Sequence, residues 1–302
     1  MRSPHYNARM QSLWMLVAAL LFSLMGVCVK LASETYSVAE LVFYRSLLGT
    51  IGLAVFVRWR GFSLATRYVG MHLRRGVVGT VALSLWFYAT TVLPVGTAMT
   101  LNYTSPLFLA AFTVGLALAA GRTVRWPLAG AVGMGFIGVI LVLQPSFSHG
   151  HEVAASAGLA SGVLSAVAYW HVKELGQLGE PEWRTVFYFS LAGAVMGGIG
   201  SVAGGFSSHS PLGLALIAGV AITATLAQLA MTRAYGKGST LVVATLQFSA
   251  IVFASVFGVL VFGDEIGFET WAGIAIIIGS GVGASVLGAR KPSRAQPSIA
   301  KA

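Results

Sequence analysis

Two short polar runs stand inside apolar stretches of this chain, and both offer groups that bind a ligand without carrying charge. Asn102, Tyr103, Thr104 and Ser105 directly precede Pro106 in the first; about 143 residues later Thr245, Gln247 and Ser249 occupy the corresponding place. Amides and hydroxyls in an apolar helix either tie it to a neighbour or face a cavity. Proline removes a backbone donor and bends the helix, which is tolerable only where a neighbour or a cavity takes up the freed carbonyl. Two interrupted, polar-centred helices at matching places in two halves mark a binding site. Gln228 is the one fully polar group in its own apolar stretch. Arg45 lies about two turns inside another, where a lone cation is costly and faces protein or water. It either clamps the carbonyls of a neighbouring helix or receives a substrate carboxylate through two parallel hydrogen bonds.

Trp86, Tyr88, Tyr103 and Trp170 add flat faces for apolar or cationic groups, with ordinary packing or an interfacial aromatic belt as the other reading. Glu34, Glu40 and His171 are the candidate proton carriers. Two of them have a structural alternative: Lys30 and Glu34 are spaced i, i+4 as an ion pair, and His171 adjoins the aromatic belt. Metal chemistry is not expected. His151-Glu152 opens like a zinc-peptidase helix, but Ala155 stands where the second ligand belongs. The chain has no G-x-S-x-G elbow and no ATP-binding motif, and Cys28 is its one cysteine, so neither an enzyme, a cofactor nor an internal disulfide is expected. A carrier and a channel both remain compatible with these residues.

The positioning elements must be membrane helices. Of 302 residues 56% are hydrophobic and 9% charged, with a mean hydropathy of +0.81, whereas soluble domains are about a quarter charged. Stretches of roughly 20 apolar residues are spans, and ten are expected: about 12–33, 38–57, 74–93, 96–120, 126–144, 154–173, 185–203, 211–232, 239–262 and 269–288. A formal charge of +10 invites a nucleic-acid reading, but 17 of the 19 basic residues fall on one side if the N-terminus is cytoplasmic. That is the positive-inside pattern, with both termini inside, and it excludes nucleic acid as the reason for the charge. The basic loop over residues 58–75 is assigned a topological role, with contact to anionic lipid as a lesser one.

The chain also repeats itself. Phe43-Tyr44-Arg45-Ser46 aligns with Phe187-Tyr188-Phe189-Ser190, Gly61-Phe62 with Gly205-Phe206, and Ala129-Gly130 with Ala272-Gly273, at an offset of 143 or 144. Each half holds five spans; five is odd, so the second half must enter from the opposite face, the inverted-repeat plan of secondary transporters. The expected organisation is a cytoplasmic N-terminal segment 1–11, repeats over 12–144 and 153–288, and a cytoplasmic tail 289–302 with no reason to fold.

With these features the chain resembles the EamA-type family of the drug/metabolite transporter superfamily. The resemblance rests on the Phe43-Tyr44-Arg45 run, Thr104-Ser105-Pro106, and Gly263-Asp264-Glu265 closing the ninth span, and covers residues 12–288. It implies an all-α, ten-span carrier of two inverted five-helix repeats in a bacterial inner membrane, with a cavity lined mainly by the third, fourth, eighth and ninth helices. It also implies a small-molecule substrate: export of amino acids or amino-acid-derived compounds such as opine-type metallophores, or else uptake of compounds such as riboflavin or S-adenosylmethionine. The lipid bilayer is the other expected partner, and a homodimer is left open. Phe248-Ser249 replaces the customary proline and Gly121-Arg122 lacks the acidic residue of the repeat end, so the halves are expected to bend unequally.

Overall fold

The computed structural model describes residues 10–121, 126–148, 150–238 and 240–289. The expected N-terminal segment and tail lie almost wholly outside these residues, as do Arg122 and His149. Among the described residues the structure is helical throughout, with no strand. The first three helices are α1 (Trp14–Ala32), α2 (Val38–Trp59) and α3 (Val69–Val92). They are followed by a short α4 (Val95–Asn102), then α5 (Ser105–Ala119), α6 (Trp126–Ser148), α7 (Glu152–Gln177), α8 (Glu182–Gly204) and α9 (Pro211–Lys237). A second broken set comes next, α10 (Thr240–Gln247), α11 (Ser249–Phe257) and a π-helical turn over Gly258–Phe262, and α12 (Phe268–Ala289) ends the fold.

Among the described residues, six helices are long and apolar enough to cross a membrane: Met10–Ala32, Val38–Trp59, Glu152–Gln177, Glu182–Gly204, Pro211–Lys237 and Thr245–Phe262. Ala129–Val142 and Phe268–Gly283 are shorter apolar helices. α3 is not among the six because His72, Arg74 and Arg75 fall in its first turns, and α4 and α5 are parted by a turn. Large apolar side chains such as Val55, Ile199, Val202, Leu212 and Leu260 point outwards, a surface that suits lipid and not water. The chain is therefore a multi-pass membrane protein.

Local chemistry sets the helix starts. Ser37 Oγ accepts the Glu40 backbone N–H at 3.3 Å while Glu40 Oε2 accepts that of Ser37 at 2.9 Å, a capping box that opens α2. Ser210 caps α9 through the Gly213 N–H, and Pro211 follows where its missing donor costs nothing.

The helices pack as pairs. The most extensive contacts are α6 with α12, α2 with α8, α3 with α7 and α1 with α9. Exchanging α1–α6 for α7–α12 in order returns the same four pairs. Between α6 and α12 the backbones themselves meet: a Cβ on Gly138 would lie 2.8 Å from the Gly273 carbonyl, and one on Gly273 would lie 2.7 Å from that of Gly138. Small residues let membrane helices approach this closely.

Both breaks use one device. Pro106 cannot donate to the Asn102 carbonyl, and the Thr104 hydroxyl bonds back to the Leu101 carbonyl at 2.6 Å. In the second set the Ser249 hydroxyl bonds back to the Leu246 carbonyl, again at 2.6 Å. The second half is therefore interrupted without a proline, at the position where the sequence shows Phe248-Ser249. The expected Lys30–Glu34 pair does not form: Glu34 is exposed, and Lys30 reaches across to Asp264 instead.

Candidate functional site

The first break, at Asn102 and Tyr103, borders a cavity of about 40 Å³ inside the bundle. Its walls come from α1, α3, the α4 end, α7, α8 and α9. Since one water needs at least about 10–15 Å³ of such space, the void has room for a few waters and none for a metabolite.

Of the sequence candidates, Trp86, Asn102, Tyr103 and Gln228 converge on this cavity, and all four are buried. Asn102 Nδ2 points at Ser161 Oγ (2.9 Å) and Ser165 Oγ (3.2 Å), so α4 is fastened to α7 immediately before the break. Trp86 Nε1 is buried with no partner among the described residues. Ser105 and Trp170 line a separate pocket of about 60 Å³ together with Tyr169, Lys173 and Tyr235. Gln247 is fully buried and committed on both sides: it accepts from the Tyr235 hydroxyl and donates to Ser105 Oγ at 3.2 Å. It is a helix-to-helix link. Tyr88 is half-buried and lies outside the cavity lining.

The proton-carrier candidates do not gather. Glu40 serves the capping box and also accepts from the Ser207 backbone N–H (2.7 Å) and hydroxyl (2.9 Å). Glu34 is exposed at the end of α1, while His171 sits partly buried on α7 with Nδ1 unpartnered. Arg45 is buried, its Cζ 5.1 Å from the Phe189 ring centroid.

The residue that sequence reasoning missed is Arg75. The sequence leaves it where the basic loop 58–75 and the expected span 74–93 overlap, whereas α3 begins at Val69 and carries Arg75 into the bundle, where it is 3% exposed and lines the cavity. Its Cζ lies 4.2 Å from the same Phe189 ring, and Nη2 donates to Gln228 Oε1 at a long 3.4 Å. The signal in the sequence was the spacing Arg75 to Gly79, an i, i+4 pair whose second member has no side chain. A Cβ on Gly79 would collide with the Arg75 guanidinium.

Ion pairs hold the two ends of the bundle. At one, Lys30 Nζ contacts Asp264 Oδ1 (3.5 Å) and the Leu93 carbonyl (3.2 Å), while Asp264 Oδ2 accepts the Val95 N–H at 3.2 Å. At the other, Glu180 accepts from Thr66 Oγ1 (2.9 Å), Arg184 Nη1 (3.1 Å) and the His72 ring Nε2 (3.1 Å). Burial alone would raise the Glu180 carboxyl, but hydrogen bonds from Thr66, His72 and Arg184 and the Arg184 charge outweigh it and hold the group below its ordinary value.

A bundle of membrane helices closed by ion pairs at both ends, around a cavity beside the first helix break, fits a multi-pass membrane transporter. The chain belongs to the EamA-like transporter family, of the drug/metabolite transporter type, whose sequence profile matches residues 9–144 and again 153–286. It is 33% identical over 269 residues to a pseudopaline exporter of Pseudomonas aeruginosa, covering 87% of this chain and 91% of that one. A riboflavin transporter of Rhizobium johnstonii is 28% identical over 281 residues, covering 88% of each. One solved crystal structure shares the fold at a TM-score of 0.67 and 19% identity, over 93% of this chain and 99% of its own.

Proposed function

We propose that this chain is a secondary transporter that exports an amino acid or an amino-acid-derived compound, opine-type metallophores included, across the bacterial inner membrane by alternating access. The observation that carries this reading is the donor-rich cavity built jointly by helices of both halves. The relative named as a pseudopaline exporter supports the direction. In this reading α4 with α5, and α10 with α11 and its π-helical turn, are two interrupted spans, so the twelve helices make ten crossings. The paired breaks and the symmetric helix contacts support two inverted repeats over 12–144 and 153–288. The distribution of basic residues supports cytoplasmic termini, so that the Glu180 cluster lies at the cytoplasmic end and the Lys30–Asp264 pair at the outer one. Substrate contact is assigned to Trp86, Asn102, Tyr103 and Gln228, with Ser105, Gln247 and Trp170 shaping the adjoining pocket.

Uptake of a flat, vitamin-like compound is the second reading. Trp86, Tyr103, Tyr169 and Phe189 all line the cavity, and one relative is named a riboflavin transporter. Mass-spectrometric comparison of cells and medium, between the parent strain, a deletion strain and its complemented form, separates the two. Export is expected to leave a compound trapped inside the mutant and missing from its medium. Depletion inside with the compound left in the medium selects uptake, and no reproducible change rejects export.

A further inference from the structure

Arg75 in the cavity wall and Arg45 behind the wall residue Phe189 carry positive charge that no carboxylate of the described residues answers. Arg75 and Arg45 are 3% and 4% exposed, and both guanidiniums lie against the Phe189 ring. Among the described residues no carboxylate stands within 4.0 Å of either. Arg75 Nε and Nη1 and Arg45 Nε have no hydrogen-bond partner, and the long bond to Gln228 is the one that Arg75 makes. Other arginines near the helix ends differ. Arg184 reaches Glu180 and the Ser63 carbonyl, and Arg233 reaches Gln11 and Glu182. Nearby acids are already engaged: Glu40 by Ser37 and Ser207, Glu180 by His72 and Arg184.

A buried cation without a counter-ion is costly, because most of its hydration is lost. Two against one ring also repel each other. The ring's quadrupole returns only part of that cost. The cavity wall adds a further unpaired donor in Trp86 Nε1, whereas Asn102 spends its N–H groups on serines. Donors and positive charge are thus in surplus. The complement is a planar, negatively charged acceptor, and a guanidinium fork fits a carboxylate better than any other small group.

We propose that Arg75, seated on Gly79 and held by Gln228, anchors a substrate carboxylate, with Arg45 supplying a second positive charge behind Phe189, so that the transported molecule is a small organic acid with more carboxylates than cationic groups. The assignment rests on the carrier reading only for the word transported; the anchor itself is a matter of binding. Gly79 acts as a positioning residue, since any side chain there displaces the guanidinium without altering its charge.

The test is equilibrium binding of radiolabelled citrate and succinate to the purified full-length protein in lipid nanodiscs, with tetramethylammonium as competitor. Saturable binding of at least one acid is expected, unaffected by tetramethylammonium, weakened at least tenfold by Arg75→Gln and partly restored in Arg75→Lys. The exposed Arg58→Gln is expected to leave it unchanged. Should Arg75→Gln elute as misfolded protein, Gly79→Ala decides, because it too must weaken binding at least fivefold with the charge retained. No saturable binding of either acid to the unaltered protein, or equal binding in the variants, overturns the anchor. Efflux of a cell metabolite extract from liposomes containing the same protein separates the two readings. Carboxylate binding lost in Arg75→Gln, with no compound crossing, keeps the anchor and rejects the carrier. Flux of neutral or cationic compounds that survives Arg75→Gln keeps the carrier and rejects the anchor.

Discussion

Asn102 fastens two helices together at the wall of the cavity. Its amide N–H groups bridge α4 to Ser161 and Ser165 of α7, and the residue is the last one before the helix breaks. Hydrogen bonds between membrane helices are worth about 1 kcal/mol, because the separated helices also find partners. Asn102→Ala is therefore expected to cost about 1 kcal/mol of stability in detergent unfolding, with Ser165→Ala costing less because its bond is longer and Ser161 remains. A double-mutant cycle between Asn102 and Ser161 reads the coupling directly. Efflux is expected to fall further than stability does, since the freed end of α4 also carries Tyr103 into the cavity wall. Equal, small losses in both would assign Asn102 to packing alone.

At the scale of the helix, the interruption at Pro106 is a built feature with a cost that the sequence displays. Restoring a donor with Pro106→Ala favours a continuous α4 and α5 by up to about 3 kcal/mol of helix propensity. The expected outcome is a protein that unfolds no more easily and transports poorly, because a straight helix withdraws the 102–103 turn from the cavity. Comparing efflux with thermal unfolding checks this, and unchanged flux would deny the break a role. Ser249→Ala probes the second break, where no proline helps. Here the sequence was read only in part. Pro106 and its polar neighbours disclosed the first break. The second was expected to bend differently for want of a proline, because a hydroxyl that bonds back to its own helix leaves no mark beyond an ordinary serine. Arg75 was hidden for a related reason: next to Arg74 and following a basic loop, it reads as topology, and only the helix start at Val69 carries it inside. Lys30 likewise had a local partner at the right spacing in Glu34, whereas its actual partner, Asp264, is 234 positions away. Local patterns disclose spans and breaks; pairings between distant helices require the fold.

For the whole molecule, the proposed alternating access demands that the two closed ends open in turn. Glu180 has its carboxyl held below the usual 4.5 by hydrogen bonds and by Arg184, against the opposing effect of burial. A depressed value in the folded state means the anion is favoured there, so its stabilising contribution is complete above pH of about 4.5 and disappears as pH falls through the lower folded value. Acid should then release Thr66, His72 and Arg184 from Glu180, loosening the end taken as cytoplasmic. Glu180→Gln is expected to be less stable near neutral pH and to lose part of the decline in thermal stability that the unaltered protein shows below pH of about 4.5. An unchanged acid slope would remove Glu180 from the closure. The opposite end has Lys30 joined to Asp264, which also accepts the Val95 N–H at the start of α4. Asp264→Asn should weaken that end alone. With Cys28 replaced by serine and Ala82 of the cavity wall replaced by cysteine, a membrane-impermeant maleimide added from outside should label Asp264→Asn faster than its parent and Glu180→Gln no faster. Faster labelling in both variants would mean that the two clusters are general struts and not opposing closures, because only separate closures can shift the cavity's exposure towards one side at a time.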